Sequence, residues 1–161
     1  MDLDIFEVDN KYIDYLSPYA PHMFLNKKPG QHNERKYIGI VLEVNGFKYF
    51  APLSSFKPKH LKMKESVDFI KFGDMAVLNI NNMFPVPENS YRRYVIANVK
   101  DKQYKKLLMN EYRILRVIQD KIRSNAITVY NHRIKNGDST KLGKRCNDFK
   151  LLEEKSENYR K

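Results

Sequence analysis

Tyr37 to Leu53 reads YIGIVLEVNGFKYFAPL, two strand-like runs, Tyr37 to Val44 and Phe47 to Leu53, joined by Asn45-Gly46. Asn-Gly between such runs is a strong signal for a tight β-hairpin, because both turn residues must take a positive φ. A two-residue turn fixes the register so that paired residue numbers sum to 91. Val44 then faces Phe47, Leu42 faces Tyr49, Ile40 faces Ala51 and Ile38 faces Leu53, all on one apolar face. On the other face Glu43 lies opposite Lys48, a cross-strand pair worth about 0.2–1 kcal/mol. Extended to its open end, this register sets Arg35 opposite Phe56 and Lys36 opposite Ser55.

Further short strands are expected at Leu3 to Val8, Ala76 to Ile80, Met83 to Val86 and Arg93 to Ile96. Five or six strands are enough for a small barrel. Residues 16–34 carry Pro18, Pro21, Pro29 and Gly30 and read as a long loop. The period then changes. From Lys102 to Arg123, Tyr104, Leu107, Leu108, Tyr112, Ile114, Leu115, Ile118 and Ile122 recur at helical spacing. Lys102, Lys105, Lys106, Arg113, Arg116 and Arg123 fall on a separate flank. Glu111 points into the apolar stripe, which calls for a basic partner or a shift of the helix. Ser124 is placed to cap a second short helix through Ile134 that Gly137 closes. The tail reads as a last short helix or turn. The expected fold is α+β: a strongly curved antiparallel sheet or small barrel with helices packed on it. One domain spans 1–161, strand-rich over about 1–98 and helical over about 100–161.

The chain of 161 residues is 42% hydrophobic and 30% charged, a balance that builds a core. Its net charge is +11. Residues 1–30 carry −2, 31–64 carry +5, 65–91 carry −3 and 92–161 carry +11. Two segregated basic blocks point to a polyanion, nucleic acid first. The longest apolar run, Tyr37 to Leu42, falls far short of the ~18 residues of a spanning helix. The start, MDLDIFEVDN, is acidic without an apolar signal region, so a cytoplasmic protein is expected, with no membrane role. The single Cys excludes an internal disulfide and a Cys-rich zinc site.

The hairpin's open end gathers Arg35 beside Ser54-Ser55-Phe56-Lys57. A guanidinium, two hydroxyls and an ammonium, with no acid among them, suit a phosphate. Such a cradle binds RNA, or cleaves it with the neighbouring 2′-hydroxyl as internal nucleophile. In the second case Arg35 stabilises charge, Ser55 and then Ser54 hold or relay protons, and Lys57 serves as acid, base or electrostatic anchor. Candidate RNA contacts around the cradle are Gln31, His32, Lys36, Phe56, Lys59 and His60. Farther off they are Tyr91 and Arg92 at a strand end, and Lys105, Arg113, Arg116 and Arg123 on the helix flank. Phe56 and Tyr91 are the candidate stacking rings; Tyr37, Tyr49 and Phe50 read as core. The ordinary reading of His32 and His60 is a loop histidine in solvent. His22, His32, His60 and His132 lack ligand spacing, so no metal or cofactor is expected. Cys146 reads as a small structural residue. No G-x-G-x-x-G, P-loop or G-x-S-x-G occurs.

KYIGIVLEVNGFKYFAPLSSFK, MAVLNINNMFPVP, YKKLLMNEYRILRVIQDKI and CNDFKLLEEK, in this order, resemble the ToxN/AbiQ family, the endoribonuclease toxins of type III toxin–antitoxin systems. The resemblance covers nearly the whole chain. It implies a curved antiparallel sheet like the small SH3-like barrel of the Kid/MazF toxins. It implies metal-independent cleavage of A-rich RNA, leaving 2′,3′-cyclic phosphate and 5′-hydroxyl ends. It implies a pseudoknot RNA antitoxin, cut by the toxin from a repeat precursor, a closed symmetric toxin–RNA assembly, and growth arrest in defence against phage. The family's active-site Ser falls on Ser55, the preceding hydroxyl residue on Ser54 and the following Lys on Lys57. The family's upstream Lys falls on Arg35, which keeps the charge but not a proton that titrates near neutrality. A family Tyr in the preceding loop is replaced by Gln31. The competing reading is a non-catalytic RNA-binding module on an SH3-like barrel; fold alone does not separate the two.

Overall fold

The computed structural model describes residues 2–22 and 35–159 of the chain. Gln31 and His32, two of the expected RNA contacts, lie outside the described residues, as does most of the expected 16–34 loop. The elements are β1 (Asp4–Val8), α1 (Asn10–Leu16), β2 (Lys36–Val44), β3 (Phe47–Ser55), β4 (Phe69–Phe72), β5 (Ala76–Asn79), β6 (Phe84–Pro85), β7 (Tyr91–Arg93), α2 (Lys102–Asn136), α3 (Lys141–Arg145) and α4 (Phe149–Asn158). All strand pairings are antiparallel, in the order β4-β5-β3-β2-β1-β7, with β6 also on β3. The sheet is open, not closed into a barrel: β4 and β7 are its two edges.

Asn45 and Gly46 take φ of 52° and 81°, as the tight turn requires. Next to the turn the pairs are those expected: Val44 with Phe47, Glu43 with Lys48 and Leu42 with Tyr49. Lys48 Nζ itself reaches Glu88 at 2.6 Å. Beyond Leu42 the register shifts. Gly39 pairs with Phe50, Ile38 with Ala51, Tyr37 with Pro52 and Lys36 with Leu53. Ile40 and Val41 form a bulge with no counterpart on β3, and the pair sum drops from 91 to 89. The expected Ile40–Ala51, Ile38–Leu53 and Lys36–Ser55 pairs therefore do not form. A two-residue shift conserves the side each paired residue faces. Ile38, Tyr49, Ala51 and Leu53 stay together, but Ile40 turns to the opposite cluster. Gly39 is needed at this point, because a Cβ there would overlap the Phe50 ring.

The sheet is buried on both sides. One face packs Ile38, Tyr49, Ala51 and Leu53 against Leu115, Ile122, Ala126 and Val129 of α2 and Phe149 of α4. The other packs Tyr37, Phe50 and Phe84 against Tyr12, Ile13 and Leu16 of α1 and Leu152 of α4. Tyr37, Tyr49 and Phe50 are core residues, as expected. Buried Glu153 accepts hydrogen bonds from Tyr49 Oη at 2.6 Å and Tyr130 Oη at 2.7 Å, tying sheet, α2 and α4 together.

Two helices expected over 102–134 are one. Asp101 caps α2 by accepting from the Gln103 and Tyr104 amides, and Gly137, at φ 56°, ends it. Ser124 does not start a new helix. Ile122, Ala126, Val129 and Tyr130 continue the buried stripe past it, and that burial outweighs the capping preference of one serine. The expected strand at Arg93–Ile96 lies two residues earlier, and Ile96–Asn98 is a 3₁₀ turn. The strands expected over 76–80 and 83–86 end up as β5 and the two-residue β6. β4, α1 and α3 are additional to the expected set. Among the described residues no helix is long and apolar enough to cross a membrane.

Candidate nucleic-acid site

The bulge in β2 determines which residues meet at the end of the hairpin. By continuing the shifted register, Arg35 comes opposite Ser54, not Phe56. Its Nη1 donates to Ser54 Oγ at 2.8 Å. Arg35 is half-buried, and that burial lowers its pKa while the nearby Tyr37 opposes the shift. Ser54 accepts from Arg35, which leaves its own O–H able to donate.

Ser55 is the last residue of β3, pairs with Ala76 of β5 and is exposed. Successive strand residues face opposite sides. Ser54 with Arg35, and Ser55 with the exposed Lys57, therefore flank the two sides of the strand end. Phe56 N–H extends the β3–β5 ladder to Met75 O at 3.2 Å. The chain then enters a 3₁₀ turn over Pro58–Leu61. His60 is not a solvent histidine. It is 6% exposed, accepts the Lys57 N–H on Nδ1 at 2.8 Å, and packs edge-on against Phe56 and tilted against Phe69. Burial first, then Lys59, Lys57 and Lys71, holds its pKa below the ordinary histidine value.

The other expected contacts are dispersed. Lys36 is buried with its Nζ 4.2 Å from the Tyr94 ring centre. Lys59 is exposed beside the cradle. Tyr91 packs against Phe6 and Phe50 in the core, which leaves it a poor stacking platform. Arg92 pairs with Glu7 at 3.1 Å.

The basic flank of α2 divides in two. Toward its C-terminal half, Arg116 pairs with Asp2, Lys121 with Glu65 and Arg123 with Asp120. In its first three turns, Lys102, Lys105, Lys106 and Arg113 have no carboxylate partner among the described residues. Together with Met109 and Asn110 they line one groove. Sequence periodicity placed six cations on one flank; two of them, Arg116 and Arg123, are neutralised, Arg116 by Asp2 from a distant segment that periodicity does not see and Arg123 by Asp120 one turn away on the same helix.

Glu111 is buried at 5% exposure, and no ion pair or hydrogen bond to it occurs among the described residues. Desolvation pushes its carboxyl up to about 7. Cys146 is buried and its thiol is pushed up to about 11, chiefly by desolvation, consistent with a structural role. Among the described residues no three His, Cys, Asp or Glu side chains gather as a metal site.

Residues 4–157 match the family model described as toxin ToxN, type III toxin–antitoxin system. Endoribonuclease ToxN of Pectobacterium atrosepticum is 30% identical, over 99% of this chain and 95% of its own length. A solved chain from work on a processed non-coding RNA that regulates a bacterial antiviral system superposes with a TM-score of 0.87 at 29% identity, covering 98% of this chain and 99% of that one. Another, from work on selective inhibition of a type III toxin by a non-coding RNA pseudoknot, gives 0.84 at 30% identity, covering 99% and 98%.

Proposed function

We propose that this chain, which belongs to the ToxN family of type III toxin–antitoxin toxins, cuts RNA at the end of β3 with Arg35, Ser54, Ser55 and Lys57. The chain is an endoribonuclease toxin. Its partners are RNA, as substrate and as pseudoknot antitoxin, and its setting is defence against phage.

In this reading the donors at the strand end support cleavage by the neighbouring 2′-hydroxyl. The 2′-oxygen loses its proton and bonds to phosphorus, the bond from phosphorus to the 5′-oxygen breaks, and that oxygen takes up a proton. The products are a 2′,3′-cyclic phosphate and a 5′-hydroxyl. The negative charge that gathers on the phosphoryl oxygens needs donors fixed in advance. Arg35 supplies a permanent charge and Ser54 a hydroxyl whose lone pair is already engaged by Arg35. Ser55 orients or relays protons at the exposed end of β3, and Lys57 adds a second cation. No metal enters this scheme. The Arg35–Ser54 hydrogen bond is the observation that carries the reading, because it joins the two segments at the hairpin's open end through a cation and a hydroxyl, a donor pair suited to a phosphate.

The preferred substrate in this reading is A-rich RNA, and the antitoxin is a pseudoknot repeat cut from a precursor that closes with the toxin into a symmetric assembly. Such an RNA needs a phosphate track beyond the cradle, and the groove of Lys102, Lys105, Lys106 and Arg113, whose cations have no carboxylate partner among the described residues, supplies one. The open sheet, bulged at β2, is read as a relative of the small Kid/MazF barrel. The chain is read as one domain, since β2, β3, α2 and α4 share one core.

Expression in cells without the RNA antitoxin tests the assignment. The intact chain arrests growth and Ser55→Ala does not, at equal protein level. An arrest of equal strength by the Ser55→Ala chain contradicts the role of Ser55.

A further inference from the structure

Lys57 reaches the site from a 3₁₀ turn, and such a short turn does not hold a side chain in place by itself. Here the turn is locked by one residue. His60 N–H donates to Lys57 O at 2.8 Å, and Lys57 N–H donates back to His60 Nδ1 at 2.8 Å. The imidazole is wedged between Phe56 and Phe69, with ring centres 5.4 and 5.7 Å away. One residue upstream, Phe56 N–H is fixed to Met75 O. The segment that carries Ser55 and Lys57 is thus tied to β5 on one side and to His60 on the other. An Nδ1 that accepts must be unprotonated, so the ring is neutral with its proton on Nε2.

We propose that His60 is a positioning residue of the ribonuclease site: its neutral ring latches the Lys57 backbone and holds Lys57 and Ser55 in register for cleavage, and protonation opens the latch. The inference rests on the reading of Arg35, Ser54, Ser55 and Lys57 as the site. A proton on Nδ1 would set two donors, Nδ1–H and Lys57 N–H, against each other. The charged groups that act on the ring are Lys57 and Lys59 of its own turn and Lys71 of β4, all cationic. Its other contacts, Phe56 and Phe69, are apolar. Every neighbour therefore favours the neutral ring, and the latch stays shut until the pH falls below the ordinary histidine range. His60 hydrogen-bonds Lys57 and neither of the two serines, so its effect on cleavage passes through Lys57.

Two substitutions and one measurement on the free protein test this. His60→Ala removes the acceptor; a misplaced group of this kind lowers kcat by about 10- to 100-fold, with a smaller change in KM. His60→Asn restores an acceptor, its side-chain carbonyl, without a group that titrates. It recovers most of kcat at pH 7.5 and lacks the wild-type fall in rate on the acid side. In the RNA-free wild type, the Lys57 amide is protected from hydrogen exchange at neutral pH and loses protection as His60 titrates, followed by NMR. A folded His60→Ala chain cutting at the wild-type rate overturns the proposal. So does an acid limb that persists in His60→Asn, or Lys57 protection that ignores the titration. If His60→Ala fails to fold, His60→Asn and the exchange measurement decide. A wild-type chain that cuts no RNA contradicts the reading of the site, and the latch then stands or falls on the exchange measurement alone.

Discussion

Arg35 reaches Ser54 at 2.8 Å because β2 carries two residues, Ile40 and Val41, that β3 does not match. Without that bulge the tight Asn45–Gly46 turn would set Arg35 opposite Phe56. A backbone irregularity near the middle of the hairpin thus determines which side chains meet at its open end. Arg35→Gln removes the charge but keeps a donor, and kcat for RNA cleavage falls by about 100-fold or more. Arg35→Lys, which restores the cation found at this position in the family pattern, stays within about 10-fold of wild type. Steady-state cleavage of one short RNA measures both. Equal losses for the two variants would show that the guanidinium fork, not the charge, is what counts.

The unequal pairing of the cations on α2 predicts an unequal response to salt. Each phosphate neutralised on single-stranded RNA contributes about 0.7 to the slope of log affinity against log salt. Replacing Lys105, Lys106 and Arg113 together by Ala flattens that slope by about 2 and weakens binding. Replacing Arg92, Arg116 and Arg123 together changes the slope little, because Glu7, Asp2 and Asp120 already neutralise them. Titration of a non-cleaved RNA at several salt concentrations separates the two sets.

Glu111 predicts a pH-dependent stability. Its carboxyl is raised to about 7 by burial, so between its unfolded value near 4.5 and about 7 the folded chain binds the extra proton. Stability from this group is present at low pH and is lost as the pH rises through the folded value. Glu111→Gln therefore melts like the wild type at pH 5 and higher than it at pH 8. A rise of this size in pKa corresponds to about 3 kcal/mol at alkaline pH, as an upper figure. Thermal melts at the two pH values check the sign; a variant less stable at pH 8 would mean that Glu111 has a favourable partner.

The hairpin, its turn and its core aromatics were legible in sequence because Asn45-Gly46 and the flanking runs agree on one local geometry. The bulge was not. Ile40 and Val41 look like ordinary strand residues, and the only mark is Gly39, whose missing Cβ makes room for Phe50. The placement of Arg35, Ser54, Ser55 and Lys57 at one end of one hairpin was also legible. Their contacts were not, because a register shift of two residues exchanges every partner at that end. The length of α2 escaped for a related reason: Ser124 has the chemistry of a cap, but the burial of Ile122, Ala126 and Val129 by the sheet and α4 is a long-range fact. His60 was read as a surface residue because nothing local tells that Phe69, nine residues on, closes over it.

The central claim is that the end of β3 cleaves RNA by attack of the 2′-hydroxyl. The direct measurement incubates the purified chain, freed of co-purified RNA, with A-rich RNA in excess EDTA and analyses the product termini. The account predicts fragments with 2′,3′-cyclic phosphate and 5′-hydroxyl ends from the wild type, and none from Ser55→Ala, which still binds the RNA. Intact RNA held tightly by the wild type, or identical fragments from both chains, would contradict it.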